Sequence, residues 1–275
     1  MKTYLHTKDY FYSQEPYSLL EDEDMEMLIT SPVPKNLETY YQSESYISHS
    51  DQSKSVIDSL YSFIKNYTLK RKVALLNSLL PQKGKLLDIG AGTGDFLLRA
   101  KNKNWDINGV EPNALARQNA TKKGILLNKN IAELPEPAYD IITLWHVLEH
   151  MTNLNEQIKT ITGLLNKDGF LIIAVPNYKS YDAQLYKQHW AAYDVPRHIW
   201  HFSKKSIMKL IAPYGLNLID TKPMWFDSFY VSLLSEKYKT GRSNYLVAFL
   251  NGFISNIKGL SSQEYSSHIY ILKKV

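Results

Sequence analysis

Apolar and polar positions keep no sustained period over residues 1 to about 50. The acidic run Glu21-Asp22-Glu23-Asp24 and the punctuation Ser31-Pro32-Val33-Pro34 predict an irregular extension, residues 1–52, with a short hairpin. Between Ser53 and Leu80 a helical spacing sets in. Val56, Leu60, Phe63 and Tyr67, then Val73, Leu76 and Leu79, predict one or two amphipathic helices ended by Pro81 and Gly84.

From Lys85 strand and helix signals alternate. Strands are predicted at 86–89, 107–111, weakly at 125–127, at 139–145 and at 170–175, with helices over about 94–103, 113–123 and 153–166 between them. The Leu134-Pro135 turn and Asp168-Gly169 punctuate the series. Strands separated by helical segments of ten to fifteen residues predict an α/β fold with a parallel sheet covered on both faces. After Pro176 the rhythm breaks into a long polar and aromatic loop, 177–202. A helix capped by Ser203, a strand at 216–221, a helical insertion at 227–258 and a last strand at 268–272 follow. A loop that long inside a compact domain is functional or mobile more often than not.

The candidate chemistry starts at the corner Leu86 to Leu98. Gly90, Gly92 and Gly94 follow a strand and open a helix, where main-chain N–H groups can approach a nucleotide-containing ligand. The dinucleotide version of this turn needs a further glycine where this chain has Asp95, whose charge would oppose a pyrophosphate. A phosphate-free cofactor carrying a sulfonium and an amino group meets no such objection. Glu111, 19 residues after Gly92 and at the end of the second strand, is placed to accept from both hydroxyls of a ribose. Asp88 sits under the turn, able to hold its N–H groups or, through water, a ligand ammonium.

Composition narrows the rest. With 275 residues and 44% hydrophobic content, one large domain at 53–275 has ample core. The absence of cysteine excludes disulfides, cysteine-ligated zinc and a cysteine nucleophile. No signal peptide and no apolar run of about 18 residues is visible, so a cytoplasmic protein without a membrane span is expected. The net charge of +5 is spread out, with no run of five like charges, which disfavours a nucleic-acid partner. Twenty tyrosines are expected half buried, ring packed and hydroxyl wet.

Three ordered stretches carry a resemblance: 87–94, then Gly109-Val110-Glu111-Pro112, then Tyr139 through His150. They resemble the motifs of class I S-adenosylmethionine-dependent methyltransferases, and among these the ubiquinone-biosynthesis-like group, the methyltransferase domain 23 family. The resemblance implies a Rossmann-like, mostly parallel sheet of seven strands, the last inserted antiparallel. The cofactor would be S-adenosyl-L-methionine, lying at the carboxyl ends of the strands. It places Asp88, Gly90, Ala91, Gly92, Thr93, Gly94 and Phe96 around the cofactor, with Glu111, Pro112 and Asn113 at the ribose and Asn130 and Ile131 at the adenine. Asn130 departs from the acidic residue usual there, though its carbonyl can accept from the adenine amine. Trp145 and His146 fall beside the reactive methyl.

The stretch Trp190 through Phe202 also resembles this group, where the loop after the fifth strand shapes the acceptor site. Arg197 and His198 are therefore catalytic candidates, against a reading in which aromatic packing orders the loop and Arg197 makes a structural ion pair. Related chains often begin with a cysteine-ligated zinc ribbon; here a metal-free hairpin is expected, with Tyr46 and His49 as a lid over the cofactor.

The expected reaction is in-line methyl transfer to a small-molecule acceptor by a monomer or homodimer. His146 is the expected general base where the acceptor needs one, on the strength of a near-neutral reference pKa. Rival readings are a nucleic-acid or protein methyltransferase, a non-catalytic cofactor-binding protein, and a nicotinamide dehydrogenase, which Asp95 disfavours.

Overall fold

The computed structural model of the chain describes residues 1–41, 56–134 and 138–275, the side chains of residues 38 and 56–61 excepted. Tyr46, His49 and Pro135 lie outside the described residues. The main sheet consists of β4 (Lys85–Ile89), β5 (Asp106–Val110), β6 (Tyr139–Trp145), β7 (Leu165–Pro176), β9 (Leu216–Pro223) and β10 (Ser267–Lys274), in the order β5-β4-β6-β7-β10-β9. The first four run parallel, and β10 is antiparallel to both neighbours.

Consecutive apolar residues in the central strands serve two cores, because strand side chains alternate between faces. Leu87, Ile142, Leu144, Leu171 and Ile173 pack with α4 (Leu154–Leu164) and α6 (Lys204–Ile211). Leu86, Ile141 and Ile172 face α1 (Val56–Leu79), α2 (Asp95–Lys101) and α3 (Ala114–Lys122).

Two expectations about this sheet need correction. The described sheet has six strands, not seven: residues 125–127 give no ladder, only a single parallel bridge between Val110 and Asn128. Ile125 is buried, Leu126 is exposed and Leu127 packs on the core, so the segment alternates as an edge strand does while pairing with β5 at one point. Strand β7 begins five residues earlier than expected, with Asp168 at positive φ and a register shift against β6. Residues 56–79 form a single continuous helix, one of the two arrangements expected there.

Over the described residues 1–41, the amino terminus is a small sheet that includes the expected hairpin, rather than an irregular extension. β1 (Lys2–Lys8), β2 (Pro16–Asp22) and β3 (Met27–Ser31) make an antiparallel sheet, joined by β8 (Trp200–His201) from the long loop. Its period-2 signal is weak because β1 is mostly exposed and polar, while the buried Tyr17, Leu19 and Leu28 pack on loop residues such as Tyr178, Tyr186 and Trp190. The loop itself contains α5 (Tyr181–Tyr186) and short 3-10 turns, and Tyr178, Tyr186, Trp190, Tyr193 and Phe202 are buried. Aromatic packing orders it.

The insertion is a helical hairpin, α7 (Asp227–Thr240) and α8 (Tyr245–Ser262), turning at Gly241 with φ 74°. The small residues Ala248, Gly252, Ser255 and Gly259 of α8 are buried, while Phe249, Phe253, Ile257 and Leu260 are exposed. Among the described residues no helix is long and apolar enough to cross a membrane.

Candidate functional site

The site forms where β4 and β5 end. Gly90, Gly92 and Gly94 have φ of 70°, 54° and 74°, a region that side chains with a Cβ rarely enter. A Cβ on Gly90 would collide with Val147, whereas one on Gly92 would meet nothing within 4 Å, so Gly92 borders open space. The N–H groups of Gly90 and Ala91 donate to the Val110 carbonyl at 2.8 and 3.0 Å. Glu111 completes the corner: Oε2 accepts from Gly92 N–H at 2.9 Å and Oε1 from Asn113 N–H at 2.8 Å. Asn113 caps α3 through Ala116 N–H, and Arg117 donates to the carbonyls of Glu111 and Pro112.

Two expectations at this corner change. Asp88 does not hold the N–H groups of the turn; Val110 and Glu111 do, and Asp88 accepts instead from the Thr143 hydroxyl at 2.6 Å. Burial pushes its carboxyl up, to about 7, against the hydrogen bond from Thr143 and the pull of Lys72. The charge objection raised by Asp95 also falls away. Lys65 at 2.7 Å and Lys123 neutralise it, and Thr93 donates to it. Asp95 therefore does not repel an anion here, and the choice of cofactor rests on other grounds.

At the end of β6, Trp145 packs edge-on against the buried Phe96, with ring centroids 5.6 Å apart. Its indole N–H is buried without a hydrogen-bond partner. Lys72 of α1 places its ammonium 4.2 Å from the Trp145 ring centroid, a cation–π contact, and burial lowers its pKa to about 8 despite Asp88 and Asp227. His146, at φ 57°, lies 3.1 Å from Asp227 and 3.3 Å from Glu149. Burial lowers its pKa, but Asp227 and Glu149 outweigh that and raise it to about 10. The near-neutral base expected at this position is thus an imidazolium at neutral pH.

The remaining candidates lie deeper. Arg197, expected beside the acceptor, is 1% exposed and bonds Asp9 at 3.0 Å and Asp194 at 2.6 Å, with its guanidinium over the Phe11 ring. It makes the structural ion pair. His198 is buried, its Nδ1 2.8 Å from the Ala192 carbonyl and its ring centroid 4.5 Å from that of His150. Burial drives His150 down to about 4. Glu149 stays below the usual carboxylate range although burial pushes it up, because His146 and the neighbouring imidazoles favour its charged form.

Asn130 is exposed and donates to Glu133, and Ile131 begins a short 3-10 turn beside it. A shallow polar cleft at the opposite end of β4 and β6, lined by Lys83, Lys85, Asp106 and Asp140, contains none of the expected site residues.

Sequence reasoning missed Lys72, Thr143, Asp227 and Asp9. Each reaches its partner across a large gap in sequence, so no local spacing marks it. Only Lys72 has a trace of a signal, as a lysine directly beside the buried stripe residue Val73.

Residues 62–221 match a protein family described as "Methyltransferase domain". An uncharacterized methyltransferase of Bacillus licheniformis is 25% identical over 118 residues, covering 40% of this chain and 55% of that protein. The chain therefore spans about half the length of the curated relative it matches. Magnesium protoporphyrin IX methyltransferase from Synechocystis PCC 6803, solved with bound SAH, has a TM-score of 0.58 at 14% identity, over 86% of this chain and 97% of that one. A Thermotoga maritima SAM-dependent methyltransferase, described as a possible histamine N-methyltransferase, gives 0.50 at 19% identity, over 78% and 96%. The [4+2]-cyclase SpnF gives 0.51 at 16% identity, over 74% and 80%. At these identities the likeness is one of fold, a fold that carries a cyclase as well as methyltransferases.

Proposed function

Because the chain belongs to the methyltransferase domain family, we propose that it is an S-adenosylmethionine-dependent methyltransferase that methylates a small-molecule acceptor beside the carboxyl end of β6. The observation that carries this reading is the corner at Glu111, whose carboxylate ties Gly92 to the start of α3 while Gly92 itself borders open space. A cradle open at a glycine and lined by a carboxylate fits a ribose-bearing cofactor.

Gly90, Gly92 and Gly94 would back the cofactor and Glu111 would take its ribose hydroxyls. Asn130 and Ile131 would border the adenine. Asp88 and Lys72, a carboxyl and an amine on neighbouring elements that each favour the other's charged form, would complement an amino-acid zwitterion. When bound, the cofactor supplies an electrophilic methyl group on a positively charged sulfur. The work left to the protein is alignment and exclusion of water, worth roughly 7 to 11 kcal/mol in well-aligned systems. Phe96 and Trp145, packed edge to face, would supply an apolar wall for that purpose.

His146 would act as a base only after Asp227 withdraws and its pKa falls; as an imidazolium it would instead donate to the acceptor. His198 would act from within the 187–202 segment, and Arg197 by holding that segment in place. The scattered positive charge supports a small molecule over nucleic acid. So do the acceptors named for the Synechocystis and Thermotoga proteins, and the cysteine-free composition supports a cytoplasmic setting.

Methyl-labelled S-adenosylmethionine and purified protein added to a cell extract test the reading. Label is expected in a new acid-soluble product that separates chromatographically from S-adenosylmethionine and does not form without the protein; transferred label only in precipitated protein or nucleic acid would redirect the reading to the macromolecular alternatives. Glu111→Ala should weaken calorimetric binding of S-adenosylmethionine by about 1–3 kcal/mol, and an unchanged affinity refutes the ribose role.

A further inference from the structure

We propose that Glu149, His150 and His198 form a binding site for one divalent transition-metal ion of the zinc class. Their ligand atoms lie within 4.8 Å of one another. Zinc bonds of about 2.0–2.2 Å put tetrahedral ligand atoms about 3.4 Å apart, so shifts of about an ångström close the cluster.

The hydrogen bonds around the cluster single out its purpose. Glu149 is 1% exposed; Oε1 meets His146 Nδ1 at 3.3 Å, while Oε2 is buried with no hydrogen-bond partner. A buried carboxylate oxygen without a donor is costly, and a cation removes the cost. The nearby imidazoles do not supply that donor. His150 Nδ1 is 3.0 Å from the Arg197 carbonyl and His198 Nδ1 is 2.8 Å from the Ala192 carbonyl. A ring nitrogen against a carbonyl carries the hydrogen, which leaves the lone pair of the neutral ring on Nε2. Two histidines oriented by main-chain carbonyls through Nδ1 are arranged as metal ligands are, with the outer contact setting the tautomer.

The Tyr41 hydroxyl, 3.0 Å from His150 Nδ1, adds to that outer ring of contacts. Asp194 Oδ2 is 4.0 Å from His198 Nε2, but both Asp194 oxygens already accept from Arg197. Two imidazoles and one carboxylate, without thiolate, suit zinc or its cobalt substitute and leave a coordination position open. The ion would join the turn after β6 to the 187–202 segment. This site uses no ligand from the amino-terminal sheet and does not depend on the methyl-transfer reading.

The test uses the full chain, stripped with chelator and dialysed against Zn²⁺ or Co²⁺. Wild type is expected to retain about one equivalent of zinc and, with Co²⁺, to give the intense visible absorption of low-coordinate cobalt. Glu149→Gln and His198→Ala should each lower uptake about tenfold or more with circular dichroism unchanged, while His6→Ala, at an exposed histidine, leaves it intact. Should Glu149→Gln not fold, His198→Ala and the wild-type cobalt spectrum decide. Uptake below about a tenth of an equivalent by wild type, full retention by His198→Ala, or only the weak spectrum of six-coordinate cobalt overturns the proposal.

Discussion

His146 illustrates how a residue's neighbours set its chemistry. Its reference pKa of about 6.5 suggests a base, but Asp227 from the insertion and Glu149 from its own turn raise it to about 10. A raised folded pKa means that the protonated pair stabilises the fold fully below pH about 6.5, and that this contribution is lost as pH rises through about 10. Asp227→Asn should therefore narrow the fall in melting temperature between pH 6 and pH 10 relative to wild type, and should bring the His146 ring titration, followed by NMR, down toward the ordinary range. An unshifted titration would mean that Asp227 does not hold the charge. Glu111 and the three glycines are legible in the sequence because strand, turn, helix and the next strand-end carboxylate form one local unit. Asp95 is legible in position but not in effect, since Lys65 and Lys123 arrive from other helices or their ends.

Among the elements, α8 packs in the reverse of the usual sense, with small residues inward and large apolar ones outward. Its close approach to α7 depends on Gly252, where an added Cβ would lie 2.8 Å from the Phe229 Cα. Gly252→Ala should destabilise by about 1–3 kcal/mol through overpacking, whereas Phe253→Gln, on the exposed face, should stay within about 0.5 kcal/mol. Urea unfolding of both variants checks the contrast, and equal losses would reject this orientation of the helix. Helical periodicity located α1, α4 and α6 within a few residues, because each buries one stripe on the sheet. The same reasoning failed at β1 to β3, whose buried partners come from residues 178–193, too distant in sequence for any local pattern to reveal.

Across the whole molecule, the amino-terminal sheet and the long loop after β7 are joined at a buried charge centre. Asp9 nucleates the β1–β2 turn by accepting from the N–H groups of Phe11, Tyr12 and Ser13, and it also binds Arg197. Asp9→Ala should cost about 3 kcal/mol or more, the penalty of leaving a buried cation short of a partner. Denaturant unfolding measures it, and a loss below about 1 kcal/mol would show that Asp194 alone satisfies Arg197. The ordered loop follows from the same arrangement, with Trp190 and Tyr193 packed with Tyr17, Leu19 and Leu28 of the amino-terminal sheet and the Ile199 main chain bonded to both Thr30 and Glu149.

The sequence by itself determined the parallel β4 to β7 core, the glycine turn, Glu111 and the family of the chain, because these depend on residues close together or on uninterrupted apolar runs. Only the tertiary structure decided the protonation of His146, the pairing of Arg197, the neutralisation of Asp95, and the gathering of Glu149, His150 and His198. Electrostatics and desolvation depend on distance in space, and these groups come from segments separated by tens of residues along the chain.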